Sequence, residues 1–322
     1  TGNVAIGTNS MGGASSAQSA SNYNVSIGNN SMAAVLNGAG ENVAIGGDAL
    51  NDLTSGDENV VIGFEAGDAI TTQSTVTLIG KGAGSAINND TANGTIAIGK
   101  HALNALTSGA SNIAIGRSSA QHLTTGENNT VIGFDAFSDL DVGGSANAPT
   151  SSDNVFIGKN VGGGVWADAA SNKNTAVGTF AMDATMNGAE YNTALGYNSM
   201  TALTTGDKNV TIGGNAGAAL TTGTYNVAVG YAALEAEDGH NGNTAIGYQA
   251  LTSLDAGEQG YNVSVGYQAG SGLTTGLNNT IIGGRIDADI AAQNSQTVIG
   301  DGGAFKFVSK EFTCDHCKND EG

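Results

Sequence analysis

The 322-residue sequence predicts an all-β fold: a parallel β-solenoid, or β-roll, of about seventeen rungs with a period of 17 residues. Three observations predict it. A motif of the form Asn-Val-Ala-Ile-Gly recurs from end to end, as at Asn42 to Gly46 and again at Asn59 to Gly63. Each copy has the residue types of a strand. The segments between copies are glycine-rich and too short to hold a βαβ crossover.

The period comes first. The closing glycine falls at Gly7, Gly28, Gly46, Gly63, Gly80, Gly99, Gly116, Gly133, Gly158, Gly178, Gly196, Gly213, Gly230, Gly247, Gly266, Gly283 and Gly300, and nine of the sixteen intervals are 17 residues. The longest interval is 25, between Gly133 and Gly158. One period therefore predicts one repeat domain over residues 1–300, an irregular insertion at 134–157, and a cap or tail at 301–322.

The strand follows from the columns. The third residue before the glycine is Val, Ile or Thr in all seventeen copies, and the residue just before it is Ile, Val or Leu in all seventeen. Residues two apart share a strand face. The residue between them is Ala or Ser in ten copies and otherwise mostly larger and apolar, as at Val61, Leu78, Phe156 and Ile281. A strand that is apolar on both faces is buried on both. One face can line the coil; the other needs a second layer.

The remainder of the repeat supplies turns. A Leu, Ile or Val stands seven residues after the glycine in thirteen copies, for example Leu53, Ile70, Leu106, Leu203 and Leu273. A further glycine often follows, as in Thr54-Ser55-Gly56, where it supplies the positive φ of a tight turn. Seven to ten residues between turns are too few for a stable helix.

Asparagine opens fourteen of the seventeen motifs. Stacked asparagines either hydrogen-bond from rung to rung through their amides or serve only as turn formers. The expected structural ladder comprises Asn42, Asn59, Asn112, Asn209 and Asn243 with Ile45, Ile62, Ile212 and Ile246. All eight tyrosines fall in two columns: just before the asparagine (Tyr23, Tyr191, Tyr225, Tyr261) or just after the glycine (Tyr197, Tyr231, Tyr248, Tyr267). Their rings are expected to stack along one edge, either as a sugar-binding strip or in packing across a subunit boundary.

These repeats resemble the head repeats of trimeric autotransporter adhesins of the YadA type. The longer unit, Asn243 to Leu251 (Asn-Thr-Ala-Ile-Gly-Tyr-Gln-Ala-Leu), is similar to repeats of bacteriophage tail fibres. The resemblance covers Asn3 to about Gly300. It implies a parallel β-roll assembled as a homotrimer. The repeat is longer than the usual autotransporter unit, and neither a heptad stalk nor anchor strands follow it, which points toward a virion fibre. Thr1 is not an initiator methionine, so a fragment or processed chain is expected. The functional expectation is an extracellular structural and adhesive fibre segment. Its partners would be adjoining fibre or virion proteins and a host surface glycan or protein. A bacterial adhesin head is the alternative; an ice-binding solenoid and a polysaccharide-degrading solenoid enzyme are further ones.

Composition excludes other classes. Fifty-one glycines beside a single proline, Pro149, do not make collagen. A net charge of −19 repels phosphate backbones, so no nucleic-acid partner is expected. No apolar run is long enough to insert in a membrane. No catalytic motif is present, so no enzyme is expected. Lys81, Lys100, Arg117 and Lys159 follow the glycine but have no matching acid column, and His101, His122 and His240 read as surface turn residues. Asp135, Asp139 and Asp141 in the insertion could hold Ca²⁺, but their spacing is not that of an EF-hand. In the tail, Phe305, Phe307 and Phe312 alternate with polar residues as a cap would. Cys314, His316 and Cys317 offer metal ligands, for Zn²⁺ above all; free, locally paired or interchain-bonded thiols are the other readings.

Overall fold

The computed structural model describes residues 2–13, 21–138, 150–164, 169–255, 259–286 and 294–300, and the backbone of 306–309. The chain forms two compact units, Thr1–Thr205 and Gly206–Gly322. The first carries β1 (Val4–Ile6), β2 (Val25–Ile27), β3 (Val43–Ile45), β4 (Val60–Ile62), β5 (Thr77–Ile79), β6 (Ile96–Ile98), β7 (Ile113–Ile115), β8 (Thr130–Ile132), β9 (Val155–Ile157), β10 (Thr175–Val177) and β11 (Thr193–Leu195). The second carries β12 (Val210–Ile212), β13 (Val227–Val229), β14 (Thr244–Ile246), β15 (Val263–Val265), β16 (Thr280–Ile282), β17 (Thr297–Gly300) and β18 (Lys306–Ser309).

Within each unit successive strands from β1 to β17 pair parallel and in register, so that Val43 lies against Val60 and Ile45 against Ile62. This is the predicted β-solenoid, with one strand of three residues per rung, four in β17. Strand β18 runs antiparallel to β17, with Phe307 opposite Ile299 in register. It thereby pairs the free edge of β17, the task expected of a cap. The other tail phenylalanines, Phe305 and Phe312, lie outside the described residues. Of the predicted insertion, residues 134–138 and 150–157 follow the rung pattern and include β9; residues 139–149, with Asp139, Asp141 and Pro149, lie outside the described residues.

Nearly every bond in a rung leads to the next rung. The Val43 N–H donates to the Asn59 carbonyl at 2.8 Å, and the Gly46 N–H donates back to the Ile27 carbonyl at 2.8 Å. The turns continue the ladder through left-handed residues. Asp48 and Leu50 have φ of 55° and 49°, and their N–H groups donate to Asn29 O and Ala66 O. Each such residue costs roughly 1–2 kcal/mol, offset by the bond that it makes to its neighbour. The closing glycine has another reason to be glycine. At Gly46, φ is 136° and an added Cβ would lie 2.6 Å from the carbonyl carbon of Gly63 in the next rung. Side chains are excluded by the rung spacing itself.

The structure decides which strand face is inside. The middle residue points into the coil, and Ala44, Val61, Leu78 and Phe156 are all fully buried. The flanking Val, Thr, Ile and Leu residues point outward. Inside, the middle strand residue faces the fourth residue after the glycine, and in most rungs their volumes are complementary. Ala44 faces Leu50, Ala97 faces Leu103 and Ala176 faces Met182. In several rungs with a larger strand residue the facing residue is glycine: Leu78 with Gly84, Phe156 with Gly162, Thr211 with Gly217; Val131 with the buried Phe137 is an exception. The coil has a fixed cross-section, and close packing leaves no room for two large residues in most rungs.

Candidate assembly face

The outward face is built from the two flanking residues of each strand and the residue after the glycine, which share strand parity. In the first unit this exposes Ile115 (36%) and Leu195 (46%); in the second, Ile212 (37%), Ile246 (40%), Ile282 (41%) and Ile299 (47%). Ile45 and Ile62 are intermediate. Side chains of this size are ordinarily buried. Here they recur at every rung, so each unit carries a continuous apolar stripe.

The asparagines face the other way. Asn42, Asn59, Asn112, Asn209 and Asn243 are at most 1% exposed. Each stands at an inward corner; Nδ2 of Asn42, Asn59 and Asn112 donates to two neighbours, whereas Asn243 takes part through Oδ1, its buried Nδ2 having no hydrogen-bond partner. Asn59 Nδ2 donates to Asn42 Oδ1 at 2.9 Å and to Gln73 O at 2.9 Å, while the Asn59 N–H donates to the same Asn42 Oδ1 at 3.0 Å. The pattern recurs from Asn112 to Asn129 and from Asn209 to Asn226. Of the two sequence readings, the rung-to-rung ladder is the one present. It lapses at Val76 and Thr95; Val76 has no amide to reach a carbonyl fourteen residues on. The single 3₁₀ turn among the described residues, Asp90–Ala92, begins at that point and is capped by Asn89.

The tyrosines border the stripe. Those before the asparagine sit at left-handed φ, from 46° at Tyr261 to 60° at Tyr225. Lys173 and Lys208 lie over two of these rings, 4.8 Å and 5.1 Å from the centroids of Tyr191 and Tyr225. Those after the glycine stack as expected in the second unit: Tyr231 on Tyr248 at 5.6 Å and Tyr248 on Tyr267 at 5.1 Å, nearly parallel. In the first unit the same column holds Phe64, Lys81, Lys100, Arg117 and Phe134, with Lys81 over Phe64 and Arg117 over Phe134, both at 5.3 Å.

The histidines depart from the expectation of exposed turn residues. His101 and His122 are half-buried. Burial, then the neighbouring Lys100, Lys81 and Arg117, hold the His101 imidazole below its ordinary pKa. His240 is more deeply placed, its side chain only 12% exposed and against Glu237. Cys314, His316 and Cys317 lie outside the described residues. No helix among the described residues is long and apolar enough to cross a membrane. No family model matches the chain, and neither a curated protein nor a solved structure is similar enough to match.

Sequence columns located the strand, the asparagine ladder and the tyrosines. They missed the volume pairing inside the coil, although it was legible in part: glycine stands four residues after the closing glycine in the rungs of Val61, Leu78, Phe156 and Thr211, but also in that of Ser264. They also missed Glu237, which stands in the buried leucine column.

Proposed function

We propose that this chain is the shaft or head of a trimeric extracellular fibre, of the kind found in bacteriophage tail fibres, whose work is mechanical support and attachment to a host surface. The observation that carries the reading is the outward apolar stripe, repeated at every rung and uncovered in the single chain. Burying it against two other copies would supply the second layer that a two-sided apolar strand requires. The number three rests on the likeness of the repeats to trimeric fibre repeats.

The tyrosine stack supports packing over sugar binding. A sugar ring needs an open aromatic face, and the inner faces of the Tyr231, Tyr248 and Tyr267 rings are turned to one another. Their exposed edges suit a neighbouring subunit. The role proposed is mechanical, not catalytic, and adjoining fibre or virion proteins would be its further partners.

Light scattering after size exclusion tests this directly. The expected native mass is three times 31.7 kDa. Replacing Ile98 and Ile115 together by Asp is expected to give a folded monomer, because both side chains point outward and the coil interior is untouched. A native monomer for the unaltered chain would overturn the assembly. A dimer would overturn the trimer. Attachment is tested next, by binding of the intact trimer to host surface glycans and proteins.

A further inference from the structure

One rung of the second unit departs from the repeat in two places at once. The seventh residue after Gly213 is Leu220 and after Gly247 is Leu254, both fully buried; after Gly230 it is Glu237, equally buried. The corner three residues later is glycine at Gly223 and histidine at His240. The backbone path is unchanged. The His240 carbonyl accepts from Asn226 Nδ2 at 2.7 Å, as the Gly223 carbonyl accepts from Asn209 Nδ2 at 2.7 Å. The fold therefore does not call for these side chains, since neighbouring rungs make the same corner with Leu and Gly.

The two side chains meet. Glu237 Oε1 accepts from the His240 N–H at 2.9 Å and is in contact with His240 Nδ1. Glu237 Oε2 is buried and has no hydrogen-bond partner. A carboxylate oxygen left bare inside a protein is costly, and a bound cation is one way of satisfying it. A third ligand is at hand: one ligand atom each from Glu237, Asp238 and His240 lie within 4.8 Å of one another.

We propose that Glu237, Asp238 and His240 form a divalent metal site, selective for a borderline transition-metal ion such as Zn²⁺ over Ca²⁺ or Mg²⁺. Two carboxylates balance the charge of a dication. The imidazole nitrogen favours Zn²⁺ over the hard cations, which take oxygen ligands. Three protein ligands from four residues leave a position for water or for a group from outside the chain. The proposal does not rest on the fibre reading.

The test is titration of the metal-stripped full chain with Zn²⁺ by calorimetry, and with Co²⁺ by its visible absorption. All proteins would carry Cys314→Ser and Cys317→Ser, so that tail thiols contribute nothing. One ion per chain is expected, with excess Ca²⁺ failing to displace it. His240→Gly and Glu237→Leu each restore the residue of neighbouring rungs, so both are expected to fold. Each should weaken binding by roughly a hundredfold or more, beyond what loss of an outer-shell partner costs. Unchanged Zn²⁺ affinity in His240→Gly, no binding in the thiol-free chain, or displacement by Ca²⁺ would each overturn the proposal. Circular dichroism of each variant separates lost binding from lost fold, and either variant alone decides the matter.

Discussion

Replacing Leu78 by Ala is expected to destabilise the first unit by about 2–5 kcal/mol, and adding Gly84→Leu is expected to restore most of that loss. Leu78 is fully buried. Its side chain fills the space left by two glycines: a Cβ added at Gly67 or at Gly84 would lie 2.8 Å and 2.9 Å from its methyl carbons. Truncation would empty that space. Gly84→Leu alone would overfill it, at about 1–3 kcal/mol. The pair would convert this rung to the arrangement of the next, where Ala97 faces Leu103. The backbone at Gly84 is already suitable, with φ of 58° against 49° at Leu103. Denaturant melts of the four proteins at one fixed concentration give the coupling. Additive losses, with no rescue, would show that the two positions do not share one volume.

Replacing Asn42 by Ala is expected to cost about 2–6 kcal/mol, more than loss of an exposed asparagine could. Asn42 Oδ1 accepts from both the N–H and Nδ2 of Asn59, at 3.0 Å and 2.9 Å, and Asn42 Nδ2 donates to Gly56 O at 2.8 Å. Truncation leaves the buried Asn59 N–H and the Gly56 carbonyl without those partners, and each orphaned group costs about 1–3 kcal/mol. Asn42→Asp is expected to be worse at neutral pH, because a charge would be buried. Burial would raise that Asp above its unfolded pKa, so the stability of this variant should recover as pH falls toward the protonated, donating form. Thermal melts across pH check the sign. A variant whose stability fell with acid, relative to Asn42→Ala, would contradict the buried position.

Neither prediction could be written from the repeat alone, although much of the fold could. The period is carried by residues whose jobs are local: a β-branched pair for the strand, an asparagine at the corner, and a glycine where rungs come too close for a side chain. These jobs recur at every rung, so one misread copy does little harm. The volume pairing was present in the sequence but crosses the coil, and a column-by-column reading treats such positions as independent. Glu237 and His240 were hidden for a related reason. Each occupies a column that tolerates variation, and only the folded rung places them in contact.

The sequence by itself determined the fold class, the rung boundaries and the two apolar faces of every strand. It did not determine which face turns inward, because a strand apolar on both sides offers no polar contrast to choose by. The tertiary structure decided that through volume. Leu50, Leu53 and their counterparts already fill the coil, so in most rungs only a small middle residue fits beside them, and glycine gives way to a larger one at Leu78, Phe156 and Thr211. The larger Val, Ile and Leu side chains are thereby turned out to form the stripe on which the proposed assembly rests.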